Sequence, residues 1–174
     1  MTPWNLVVLG SGSAKPTAFR SPSAQALCVG RQVYLIDCGE GTQMQLCKAA
    51  LAPERAVAVF ITHLHADHTL GLFGLIASLS MSGRTACYLC ARDLQPILDT
   101  MVAFFVVHLN FELQFHPLPD TPGATIYADR QLSVSTIPLH HRIPTMGFKF
   151  EEHPLPPNIY PEVIEKYALT RQEI

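Results

Sequence analysis

Between Thr62 and His68 the chain reads Thr62-His63-Leu64-His65-Ala66-Asp67-His68, three imidazoles and a carboxylate within a few residues. Borderline nitrogen donors mixed with a hard oxygen donor suit zinc or a similar divalent ion. A polar loop rich in histidine is the plainer explanation, but four ligand-type residues at this spacing read as a metal site. On a loop, His63 and His65 can face one ion while Asp67 and His68 reach a second beside it. Two ions about 3.5–4 Å apart hold a hydroxide between them and clamp phosphate oxygens during in-line displacement. A carboxylate next to that hydroxide is placed to accept its proton. The chemistry implied is hydrolysis, with the substrate left open.

Such a cluster needs a rigid mount. Directly before it, Val57-Ala58-Val59-Phe60-Ile61 is an apolar run with the pattern of a buried strand, so the ligands begin where that strand ends. Further strand-like runs are Asn5–Leu9, Ala26–Val29, Val33–Ile36, Ala86–Cys90, Leu113–His116, Ala124–Ala128, Leu132–Ile137 and Phe148–Phe150. Helical patterns cover Thr42–Ala50, Leu70–Ser80 and Asp93–Val107. The alternation predicts an α/β fold, one mixed sheet with helices on its outer face. After His153-Pro154-Leu155-Pro156-Pro157-Asn158, a proline-rich break, Pro161–Ile174 is expected to start a short helix with proline in its first turn.

The whole chain sets bounds on function. Its 174 residues suffice for one domain with a real core, and 48% hydrophobic against 15% charged residues describes a globular protein. A net charge of −2 gives no global basic field, so contact with nucleic acid must come from a local patch or a partner subunit. No apolar run approaches the roughly 18 residues that span a bilayer. The start, Trp4-Asn5-Leu6-Val7-Val8-Leu9, runs straight into a glycine turn without a basic region or cleavage site, so the protein is expected in the cytoplasm. Five scattered cysteines, Cys28, Cys38, Cys47, Cys87 and Cys90, do not form a disulfide framework. Cys87-x-x-Cys90 suggests a zinc ribbon or redox pair, but it falls in a strand-like segment without a second such pair. Core thiols are the better reading.

The Thr62–His68 segment resembles the signature of the metallo-β-lactamase superfamily. Three further segments narrow the resemblance to ribonuclease Z, the endonuclease family that trims the 3′ ends of precursor tRNA. They are Leu9-Gly10-Ser11-Gly12-Ser13-Ala14-Lys15-Pro16-Thr17 with Arg20 and Ser23-Ala24, then Asp37-Cys38-Gly39-Glu40-Gly41-Thr42-Gln43, then Pro138-Leu139-His140-His141-Arg142 followed by Gly147-Phe148 and Glu151-Glu152. The resemblance runs from about Leu6 to Glu152. It implies an αββα sandwich, of which residues 1–152 are the N-terminal half. It also implies a zinc-dependent endoribonuclease with two Zn2+ ions per complete site, acting on precursor tRNA as a homodimer.

Carried over by position, His63, His65 and His141 would bind one zinc and Asp67 and His68 the other, with Asp67 as catalytic proton acceptor. His140 is a neighbour of the ligand rather than a ligand. Asp37 would support the ligand loop, or simply form a turn before Gly39. Lys15 and Arg20 can touch RNA, although exposed basic residues usually only solvate a surface. The family's bridging aspartate, later histidine ligand and catalytic histidine lie further along than Ile174, and residues 153–174 correspond to the start of its protruding tRNA-binding arm. Two other readings compete: a metallo-phosphodiesterase acting on small esters, and an inactive metal-binding half-domain.

Overall fold

The computed structural model describes residues 3–83, 86–106, 108–154 and 160–170. In chain order the elements are β1 (Trp4–Gly10), β2 (Ala24–Val29), β3 (Gln32–Ile36), α1 (Thr42–Lys48), β4 (Ala56–Phe60), α2 (Ala66–Thr69), α3 (Gly71–Met81), β5 (Ala86–Ala91), α4 (Gln95–Met101), β6 (Glu112–Pro117), β7 (Thr125–Ala128), β8 (Leu132–Leu139), β9 (Thr145–Glu152) and α5 (Pro161–Tyr167). Strands β1 to β6 make one sheet in sequence order. The first three pair antiparallel, and β3 through β6 pair parallel. Each parallel step needs a crossover, and α1, α2–α3 and α4 supply them.

The central strands explain their own sequence. Every residue of β4 is buried or nearly so, because layers cover both faces, and this removes the usual polar alternation. Val59 faces the helices, where it packs with Leu46 of α1, Leu98 of α4 and the α3 stripe Leu72, Leu75, Ile76 and Leu79. That stripe has the spacing of one helical face. Ala58 and Phe60 point the other way, into a second core with Leu132, Val134 and Met146.

That second core belongs to a separate sheet. The expectation of one mixed sheet is corrected here: β7, β8 and β9 form a three-stranded antiparallel sheet of their own. The physical reason is visible in β8, where Leu132, Val134 and Thr136 are buried and Ser133 and Ser135 are not, the alternation of a sheet with one covered face. The result is a helix layer, a six-stranded sheet and a three-stranded sheet, consistent with the αββα class. Between the sheets, Phe60 is surrounded by the rings of Tyr88, Tyr127, Phe148 and Phe150, with centroids 5.5–6.4 Å away.

Two helical expectations also change. Within the described part of the expected Asp93–Val107 helix, Gln95–Met101 is α-helical and Val102–Val106 widens into π turns; position 107 lies outside the described residues. Val102, Phe104 and Phe105 are β-branched or aromatic, types that lose side-chain freedom against the preceding turn of a regular α-helix. The C-terminal helix closes at Tyr167, with Ala168 in the left-handed region (φ 48°). Positions 171–174 of the expected helix, and 155–159 of the proline-rich break, lie outside the described residues. No disulfide joins the five cysteines, and Cys87 and Cys90 are buried in the core, as expected of core thiols.

Because Phe60 is fully buried between the sheets, Phe60→Ala should cost about 3–5 kcal/mol of stability. Urea unfolding followed by circular dichroism measures it, and a loss under 1 kcal/mol would mean that the aromatic cluster is not a structural centre.

Candidate metal centre

Parallel strands end together, and the loops beyond their C-terminal ends are where α/β sheets place ligands. Here the loops after β3 and β4 meet. Ile61 is held by its N–H to the Cys90 carbonyl (2.9 Å), and the Asp37 N–H bonds to the Phe60 carbonyl (2.9 Å). The chain then leaves the sheet as the histidine loop and turns into α2. There the His68 N–H donates to the His65 carbonyl (3.0 Å) and Thr69 Oγ1 donates to the same oxygen (3.2 Å).

Backbone contacts hold the two loops together. The Cys38 N–H donates to the His68 carbonyl (2.8 Å), and the Gly71 N–H donates to the Cys38 carbonyl (2.9 Å). This approach leaves no room for side chains. A Cβ on Gly39 would sit 2.4 Å from the Asp67 carbonyl oxygen, and one on Gly71 would sit 2.0 Å from that of Gly39. The two glycines are therefore required by the site's architecture.

Asp37 is the hub. Its backbone is left-handed (φ 60°) and its carboxylate is buried. Oδ1 accepts the Thr62 N–H (2.9 Å) and the Thr62 hydroxyl (2.8 Å), while Oδ2 accepts the Ser23 hydroxyl (3.0 Å) and pairs with His68 Nδ1 at 2.6 Å. The two sequence readings of Asp37, turn former and loop support, both hold. With Nδ1 committed to Asp37, His68 turns Nε2 toward Asp67 Oδ2, 3.7 Å away. Burial pulls the His68 pKa down, but the hydrogen bond and charge of Asp37, aided by Asp67, outweigh it and leave the pKa raised.

A second relay runs through Thr62. Its hydroxyl has one proton, donated to Asp37, so its oxygen accepts from His63 Nδ1 at 3.0 Å. That assignment leaves a lone pair on His63 Nε2, which faces His65 Nδ1 at 3.0 Å. Burial, reinforced by the neighbouring His68 and His65, pushes the His63 pKa down to about 4. A neutral imidazole with its lone pair turned into a cluster is the state that binds a metal.

His141 arrives from the other sheet. It lies on the connection between β8 and β9, and the Met146 N–H bonds to the Thr62 carbonyl (3.0 Å), fastening that hairpin to the histidine loop. Ligand atoms of His63, His65 and His141 all lie within 4.8 Å of one another. Three convergent imidazoles fit one tetrahedral ion with a fourth position open. His140 is exposed and stands outside this group. Asp67 is at the edge, its Oδ2 accepting the Ala14 N–H at 2.8 Å. Burial works to raise the Asp67 pKa, but that bond, its own backbone N–H and the nearby histidines hold it below the usual value. The sequence reading included Ser23, Thr62 and Ala14 in the family-like segments but gave them no chemical role. Ser23 and Thr62 are common polar residues, and an amide leaves no trace in residue type.

Residues 32–156 match the family described as the Beta-lactamase superfamily domain. The chain is 39% identical over 176 aligned residues to Ribonuclease Z of Phocaeicola vulgatus, covering all of this chain and 57% of that protein. It thus spans little more than half the length of that relative. Human tRNase Z, short form, superposes with a TM-score of 0.76 at 30% identity, over 84% of this chain and 64% of that one. The metallo-beta-lactamase fold protein YhfI from Bacillus subtilis superposes at 0.67 with 17% identity, over 87% and 58% of the two chains, a likeness of fold.

Removing the hub should be felt by an added divalent ion: with zinc as the probe, Asp37→Ala is expected to weaken affinity about 10–100-fold. His141→Ala should weaken it further and His140→Ala should leave it unchanged. Competition against a chromophoric chelator gives all three values.

Proposed function

The chain belongs to the beta-lactamase superfamily, and we propose that it forms the first part of a zinc-dependent endoribonuclease of the ribonuclease Z type, removing 3′ trailers from precursor tRNA. The observation that carries this reading is the convergence of His63, His65 and His141 beside the Asp67–His68 pair. The relatives named Ribonuclease Z and tRNase Z support the substrate class. Residues 1–152 make up the metallo-β-lactamase-like part in this reading, and residues 153–174 open the tRNA-binding arm. The working form is a homodimer in the cytoplasm. No helix among the described residues is long and apolar enough to cross a membrane.

The donor chemistry fits zinc, since neutral imidazole nitrogens are among its preferred ligands. His63, His65 and His141 would hold one ion and Asp67 and His68 a second, whose remaining donors lie outside these residues. A bound zinc pair supplies positive charge for the phosphate oxygens and acidifies a water molecule. The chain's own residues do the rest. Asp67, kept ionised by the Ala14 amide, accepts the proton of the attacking water. Asp37 and Thr62 fix the ring orientation of His68 and His63 before any substrate arrives.

The test is cleavage of precursor tRNA by the full-length protein supplied with zinc. Asp67→Ala should lower the rate by a factor of about 10²–10⁴ or more, because it removes both a donor and the proton acceptor. Turnover of bis(p-nitrophenyl) phosphate with none on precursor tRNA would instead favour a small-ester phosphodiesterase.

A further inference from the structure

Phe19 is 97% exposed, a whole aromatic ring in water that contributes nothing to either core. Isolated apolar residues on a surface are ordinary. What distinguishes Phe19 is the stiffness of its mount. The Thr17 hydroxyl oxygen accepts the N–H groups of Phe19 (3.3 Å) and Arg20 (2.9 Å), and the Thr17 N–H donates to the Arg20 carbonyl (2.9 Å). The loop base is closed by the Gly12 N–H on the Ser21 carbonyl (2.8 Å). A Cβ on Gly10 would lie only 1.8 Å from the Pro22 carbonyl oxygen, so the two arms of the loop touch. The same loop donates the Ala14 N–H to Asp67.

Beside the ring is a polar hollow of about 320 Å³. Ser11, Thr17, Arg20, Gln45 and Lys48 line it, and among the described lining residues none carries a carboxylate. Lys48 comes from the last turn of α1, so the two cations approach from different elements. A preformed basic hollow next to an exposed ring matches the two halves of an unpaired nucleotide. Guanidinium and ammonium groups take the phosphate, and the ring takes the base. A phosphorylated peptide would use the cations and leave the ring idle; an anionic membrane would engage both, so binding of anionic vesicles in place of the oligoribonucleotide would overturn the assignment.

We propose that Phe19 is a stacking platform for an unpaired base of the RNA substrate, with the Arg20–Lys48 hollow holding an adjacent phosphate. The proposal rests on the tRNA-processing reading for its biological substrate, but base stacking can be measured without cleavage. Full-length protein, its Phe19→Ala, Phe19→Trp and Lys48→Gln variants, and a single-stranded oligoribonucleotide carrying 2-aminopurine are required. Wild-type protein should quench the 2-aminopurine emission. Phe19→Ala should lose the quench and raise Kd about tenfold, while Phe19→Trp restores both and zinc content stays constant. Lys48→Gln should reduce the slope of log affinity against log salt by about 0.7. On precursor tRNA, Phe19→Ala should raise KM rather than lower kcat. Wild-type affinity and quenching in Phe19→Ala would overturn the proposal. Quenching through Phe19 without precursor tRNA cleavage would sustain it and reject the tRNA-processing reading.

Discussion

The carboxylate of Asp37 is the point on which the site depends. A buried carboxylate is costly unless its oxygens are satisfied, and here the partners that satisfy it are the parts to be aligned. They come from the segment before β2, from the end of β4 and from α2. Solving the local solvation problem therefore sets the histidine loop against the sheet. It also fixes which nitrogen of His68 faces outward. The strong hydrogen bond to a charged group and the left-handed backbone at position 37 belong to one arrangement: the turn aims the carboxylate, and the carboxylate anchors the turn.

Around that hub, precision comes from backbone rather than side chains. The loops after β3 and β4 are stitched by amide-to-carbonyl bonds through Cys38, and Gly39 and Gly71 permit the approach. Donors built on strand ends move less than donors on free loops. The chemistry of the residues follows from that rigidity. His63 is kept neutral by burial among other imidazoles, and Asp67 is kept charged by a backbone amide, so of two groups a few residues apart one is uncharged and the other an anion. Neighbouring groups with diverging environments are a common basis for divided roles in hydrolysis.

Much of this was legible in the sequence. The strands around the site, the α1 and α3 helices and the ligand loop all follow from periodicity and residue type, because β4 and the α3 stripe have burial patterns that leave little choice. His141 was a different matter. Nothing local distinguishes it from His140, and only the resemblance of its surrounding segment singled it out. The second sheet was read as part of the first, because strand-like runs do not reveal which strands pair. The π turns at Val102–Val106 escaped because residue type in an apolar run does not set the helical pitch. The Thr62 relay and the Ala14 amide were invisible for a deeper reason: each depends on where a small polar group ends up, and residue type does not encode that.

The origin of the three histidines has a mechanical consequence. His63 and His65 hang from the end of a strand in the large sheet, while His141 belongs to a hairpin of the small one. Any ion that engages all three is a rivet between the two sheets, closing the long stretch of chain from β4 to β8 into a ring. The aromatic cluster under Phe60 glues the same sheets by surface area, without direction, whereas the rivet fixes one point at their rim. Metal loading then becomes a matter of tertiary structure as well as chemistry, because free energy of binding is also free energy of holding the layers in register. A shortage of metal would then be felt first as a loosened joint between the layers.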